Sequence, residues 1–279
     1  MRIAYKEIMA KQKYDLKAGI SRNMIYRNFS TPFTYLFVRL GMSPTTVSIL
    51  NFIPPVTGFY LLSLGNYTSI VIGLLFFALF KVLDCSDGEV ARIQNSKVMD
   101  ERYKNIEGPF LDGVTHYIYP VCLGMGLGIG TFKLYSNEIY LFLGVVLTIL
   151  FVQEVALIEL LKSYYRKAII GRKIKASDKE TLQKMMYEMY DGRTWEKQNF
   201  FAKLFSMYPF QGLLYTTEFI IPVLMVLAIL ESVVMPAISI IAMYMIIITI
   251  QKLIHFSSFI WKVKKARFMT KVIQGLQRQ

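Results

Sequence analysis

Six stretches of this chain run for about 20 residues with few charges, the length a helix needs to cross the hydrocarbon core of a bilayer. They are Pro44–Leu64, Ser69–Ala91, Pro109–Phe132, Ile139–Leu161, Phe210–Leu230 and Met235–Phe256. Hydrophobic residues make up 54% of the 279, too many for an ordinary soluble domain. The expected fold is therefore an all-α integral membrane protein of six transmembrane helices, with an N-terminal interfacial helix and cytoplasmic termini. No segment reads as a cleaved signal peptide, because the first forty residues are charged and irregular.

Basic residues orient these helices. With both ends in the cytoplasm, 29 of the 32 Lys and Arg fall in inward-facing segments, while Lys133 alone falls in an outer loop and Lys81 and Lys252 lie within spans. Such an excess follows the positive-inside rule and predicts a multi-pass protein of the cell membrane. The inner ends of spans two and three then face the cytoplasm. The net charge of +13 suits juxtamembrane residues at anionic headgroups, so membrane lipids are expected partners and nucleic acid is not. Cys85 and Cys122 fall in spans and read as small apolar residues with no disulfide.

Three parts follow in chain order. Residues 1–43 form a cytoplasmic and interfacial segment, in which Ser30-Thr31-Pro32 predicts a helix start and Gly41 its end. That helix either lies at headgroup level with Tyr35, Phe37 and Arg39, or packs on the bundle. Residues 44–260 form the six-helix domain. Ser43-Pro44 opens its first span, Pro54-Pro55 kinks that span, and Gly65-Asn66 turns the chain outside. Gly124, Gly126, Gly128 and Gly130 make two small-xxx-small pairs for close helix packing, within the bundle or across a dimer. Glu154 and Glu159 lie in span four, and a lone His255 near the end of span six reads as an interface residue. The insertion 162–208 contains a capping box at Ser177–Glu180 and an amphipathic stripe through Leu182, Met185, Met186 and Met189, expected to cover the cytoplasmic mouth. Residues 261–279 are a basic tail.

The chemistry concentrates between Asp84 and His116. Asp84, Asp87 and Gly88 stand at i, i+3 and i+4, with Ala91 and Arg92 at i+7 and i+8, which places all five on one helical stripe. Gly108, Asp112 and His116 make a second stripe at i, i+4 and i+8. Carboxylates in or near a bilayer are costly and usually retained for function. Oxygen-rich clusters of this kind suit Mg²⁺ or Mn²⁺, and two such metals could clamp a pyrophosphate for displacement at phosphorus. Arg92 could add a phosphate contact. The bland alternative is that the acids pair with Lys81 and Arg92, leaving two bases to neutralise three acids.

The run D-C-S-D-G-E-V-A-R followed by G-P-F-L-D-G-V-T-H resembles the signature of the CDP-alcohol phosphotransferases, also called the CDP-alcohol phosphatidyltransferase family. Asp84, Asp87, Gly88, Ala91, Arg92, Gly108 and Asp112 match its defining positions. The resemblance implies a six-helix bundle, often a homodimer, that moves a substituted phosphate from a CDP-linked donor to an alcohol or lipid acceptor and releases CMP. It further implies that Asp84, Asp87 and Asp112 hold the divalent metals. Gly88, Ala91 and Gly108 would line the cytidine side, and Arg92 would brace the motif or the phosphates. A phosphorylated acceptor would want a basic pocket, which Lys81, Lys162 and Arg166 could supply, and the sequence does not choose between a phosphorylated and an unphosphorylated one.

Two features depart from the pattern. Fifteen residues separate Arg92 from Gly108, about seven more than the family usually has, which either lengthens the loop or adds about two helical turns. The last acid of the family's motif, its general base and a metal contact, is His116 here. A neutral imidazole can accept a proton from an alcohol near neutral pH, and it can ligate a metal, suiting Mn²⁺ better than Mg²⁺. Three readings are open: an enzyme with His116 as base or ligand, an enzyme using Glu89 or Asp100 as base, or an inactive relative that binds nucleotide or lipid. A transporter is a fourth, from a different class, but the acids gather at one end and form no path across.

Overall fold

The computed structural model of the chain describes residues 26–95, 107–170, 217–233 and 240–266. Among these residues the chain is all helical, with no strand. The helices in order are α1 (Arg27–Arg39), α2 (Pro44–Leu50), α3 (Ile53–Leu62), α4 (Tyr67–Asn95), α5 (Glu107–Tyr135), α6 (Ile139–Ile170), α7 (Thr217–Val233) and α8 (Ile240–Ala266). Three segments are long and apolar enough to cross a membrane: Pro44–Leu62, which joins α2 and α3, Tyr67–Gln94 in α4 and Ile139–Leu157 in α6. Shorter apolar segments, Ile220–Val233 and Ile240–Ile254, lie in α7 and α8. At 29 residues α5 is as long as α4.

Local chemistry sets the boundaries. Ser43 caps α2, its Oγ accepting from the Thr46 N–H at 3.1 Å with Pro44 next in the chain. The first span is broken as its prolines predict: α2 stops at Leu50, and α3 restarts at Ile53 with Pro54 and Pro55 in its first turn. Neither proline can donate to the carbonyl four residues back, so the helix cannot run through. Gly65 turns the chain at φ +75°, and Asn66 Oδ1 then accepts from the Ser69 N–H at 2.8 Å.

The four glycines of α5 serve two different neighbours inside the bundle. A Cβ at Gly124 would strike Thr148, and one at Gly128 would stand 2.7 Å from the Cα of Gly144, both on α6. Cβ atoms at Gly126 and Gly130 would instead meet Leu62 of α3, at Gly130 its carbonyl oxygen. Each small-xxx-small pair thus lets one helix backbone approach α5. Around this contact the main core forms from six of the helices, α3 to α8, with Leu62, Phe77, Leu123, Phe151, Ile221 and Met245 among its buried members.

The structure corrects the expected start of α1. The helix begins at Arg27 and Pro32 lies inside it. Ser30 Oγ and Thr31 Oγ1 donate to the Arg27 carbonyl, at 2.9 and 3.3 Å, so the hydroxyls read as a start signal support a helix already under way. The helix ends as expected. Gly41 sits at φ +70°, and the N–H groups of Gly41 and Met42 close onto the Val38 and Phe37 carbonyls. Of the two placements open for α1, the described contacts are those of packing on the bundle. Ser30, Thr31, Thr34, Phe37 and Val38 are buried, and Phe37 and Val38 pack with Leu83, Val90 and Ile93 of α4. Phe29, Leu36 and Leu40 face outward instead.

The capping box at 177–180, the Met/Leu stripe, Asp100, the added loop residues, the basic tail beyond 266 and the side chains of Glu154, Glu159 and His255 lie outside the described residues.

Candidate metal centre

The inner stripes of α4 and α5 converge. Asp84 and Asp87 stand on α4, each 8% exposed, and Asp112 and His116 stand on α5, half open to solvent. The Nε2 of His116 lies 3.3 Å from Asp84 Oδ1 and 3.3 Å from Asp112 Oδ1. One ligand atom from each of the three residues falls within 4.8 Å of the other two, so the cluster could hold a metal ion. Neighbouring ligands around a divalent cation, each about 2.1 Å from it, stand about 3 Å apart. The histidine–acid separations are close to that spacing, so the three residues fit such an ion. A single ring nitrogen carries at most one hydrogen, which the two acids would have to share, whereas a cation can be bound by all three.

Asp87 adjoins this trio without belonging to it. Its Oδ2 accepts from Ser48 Oγ at 3.0 Å, and Ser48, on α2, is a site neighbour that sequence reasoning passed over. Its only signal was its place in the opening of span one. Gly88 is half buried, and a Cβ there would stand 3.4 Å from Arg92 Nη1, so the guanidinium of the exposed Arg92 reaches back along the α4 stripe. Ala91 is half buried on the same stripe, and Gly108 lies in the first turn of α5.

Lys81, three residues before Asp84, pairs with no acid among the described residues. Its Nζ lies 4.4 Å from the centroid of the Tyr119 ring and 5.7 Å from that of Phe80. Phe80 and Tyr119 stack at 4.6 Å, and Phe80 also meets the His116 ring edge-on at 6.4 Å. The aromatic floor that sets the His116 ring was not anticipated from sequence.

Glu89 points elsewhere. It is 3% exposed, and its carboxylate accepts from Ser30 Oγ at 3.0 Å and Thr34 Oγ1 at 2.6 Å, both on α1. Ser86 Oγ reaches the Ser30 carbonyl at 3.3 Å on the same side. The inner end of α4 therefore has two polar faces, Asp84 and Asp87 toward the metal centre, Ser86 and Glu89 toward α1. Comparison of the chain with protein-family models and with curated proteins finds no match.

Proposed function

We propose that the chain is a divalent-metal-dependent CDP-alcohol phosphotransferase that transfers a substituted phosphate from a CDP-linked donor to an alcohol and releases CMP. The observation that carries this reading is the meeting of Asp84, Asp112 and His116, from two helices, at the positions the motif marks for metal binding. The six-span arrangement, with cytoplasmic termini and a site opening to the cytoplasm, belongs to the same reading and rests on the distribution of Lys and Arg. A homodimer comes with the resemblance.

Asp84, Asp112 and His116 would hold Mg²⁺ or Mn²⁺, with Asp87 available to a second ion. Metal bound there would neutralise the pyrophosphate and stabilise the departing CMP. Gly88 and Ala91 leave space beside the acids for the nucleotide, and Arg92 can meet a phosphate oxygen from its place above Gly88. His116 has two tasks open to it through Nε2. As a ligand it completes the trio. As a base it takes the hydroxyl proton while the alcohol oxygen bonds to phosphorus and the bond from phosphorus to the CMP oxygen breaks; the electron pair leaves with CMP.

The test is CMP release by the purified protein with Mg²⁺ or Mn²⁺, from CDP-diacylglycerol and from soluble CDP-alcohols, each with lipid and polyol acceptors. Release from one donor class, abolished by a chelator, is expected. No release from any donor, with cytidine nucleotide still bound, would leave a binding protein and overturn the enzyme.

A further inference from the structure

Lys81 stands near the middle of the Tyr67–Gln94 span, where an ammonium is costly and usually functional. Nothing in the metal centre uses it. Among the described residues it makes no ion pair and no hydrogen bond, and its charge rests on the Tyr119 and Phe80 rings. Ring faces attract a cation without occupying its three N–H donors.

Its position relative to the metal centre follows from the helix pairing. Lys81 precedes Asp84 by three residues on α4, and Tyr119 follows His116 by three on α5. Asp84 meets His116 and Lys81 meets Tyr119, so these pairs form two successive rungs between oppositely running helices. The second rung is about 4.5 Å further from the acidic end, three residues at about 1.5 Å each. The pocket is thus two-signed, anionic at the first rung and cationic at the next.

We propose that Lys81, braced on Tyr119 and Phe80, is an anion subsite, and that it selects an acceptor alcohol carrying a phosphate monoester. The assignment of the ligand as an acceptor rests on the phosphotransferase reading; the anion subsite does not. A hydroxyl reacting at the first rung and a phosphate on Lys81 would be about 5 Å apart, the reach of two or three carbons at about 1.5 Å per bond.

The experiment has two arms on the full chain in detergent. In the first, glycerol 3-phosphate, inorganic phosphate and glycerol are titrated calorimetrically into metal-free protein. Both phosphates are expected to bind and glycerol is not. Lys81→Met should weaken phosphate binding at least about tenfold, the loss of one charge-assisted contact, whereas Lys81→Arg and Asp112→Asn should retain it. Phosphate binding that is equal in wild type and Lys81→Met, with both variants folded by their melting curves, overturns the subsite. In the second arm, CMP release from CDP-diacylglycerol is measured with glycerol and with glycerol 3-phosphate. Lys81→Met should raise KM for the phosphorylated acceptor at least about tenfold, with donor KM unchanged. Equal use of both acceptors by the wild type overturns the selection. Lys81-dependent phosphate binding without CMP release from any donor supports the subsite while removing the phosphotransferase.

Discussion

The two ends of the bundle bury carboxylates in apolar helices and treat them in opposite ways. At the end away from the metal centre, Glu231 of α7 is fully buried. It accepts from Tyr67 OH at 3.0 Å, from Tyr135 OH, and from the Ile241 N–H at 2.9 Å. These donors come from α4, α5 and the first turn of α8, so one carboxylate ties four helices together. Burial and the neighbouring Glu231 push the Tyr135 phenol above its ordinary pKa, which keeps it a donor. At the acidic end the groups face one another across an opening. His116 and Asp112 have side chains 36% and 43% exposed, and one imidazole nitrogen stands between two carboxylates. A carboxylate closed off by donors is a fastener, since every lone pair it needs is engaged. Carboxylates gathered at an opening repel one another unless a cation joins them, and that is the arrangement of a binding site.

The comparison breaks first, and most visibly, in activity. Asp112→Asn and Asp84→Asn remove charge from the open end, and CMP release should fall at least about 10²-fold, on the scale of losing a preorganised electrostatic group. The melting temperature should hold or rise, because a repelling carboxylate is gone. His116→Ala should lose a similar factor, while His116→Asp should move metal preference toward Mg²⁺ if the ring is a ligand. A variant at the open end that unfolds the protein while its folded fraction keeps full activity would reverse the assignment of the two ends.

The opposite result is expected from Glu231→Ala. Two phenols and one backbone N–H lose their acceptor, for a destabilisation of about 3 kcal/mol, read as a lower melting temperature. CMP release per folded molecule should change little, since Glu231 lies at the other end of the bundle. Glu231→Gln, which keeps one carbonyl acceptor, should fall between wild type and Glu231→Ala. A large loss of activity at unchanged stability would mean that the far end takes part in the chemistry.

What could be read from sequence tracks how local each signal is. The acidic end was legible because Asp84, Asp87, Asp112 and His116 fall at helical spacings within two short stretches, so periodicity alone aims them. The four glycines of α5 were legible as close packing for the same reason, but which helix each pair meets depended on the fold. Glu231 was invisible. Its donors stand 164, 96 and 10 residues away, and a single Glu at the end of an apolar run has no pattern of its own. Ser30 misled the reading of α1 because its hydroxyl signals a helix start in isolation, whereas here it bonds to Arg27 and Glu89.

Glu89 tests the division at its finest grain, because it lies at the acidic end and is built like the far one. It follows Asp87 by two residues, about 200° around the helix at 3.6 residues per turn, so the same turn of α4 points one carboxylate into the site and the other at α1. Its bonds to Ser30 and Thr34 fix α1 on α4 and, through that contact, the rotation that aims Asp84 and Asp87. Glu89→Gln keeps the shape and one acceptor, and should cost about 1 kcal/mol of stability with only a few-fold loss of CMP release. Ser30→Ala combined with Thr34→Ala should reproduce that loss, since it removes the other half of the same contact. If Glu89 were instead the base that accepts the hydroxyl proton, Glu89→Gln would cost about 10²–10⁴ in rate, and the double α1 variant would not match it. The match or mismatch of those two rates decides whether nearness to the metal centre or the hydrogen-bond partners of a carboxylate determine its role in this bundle.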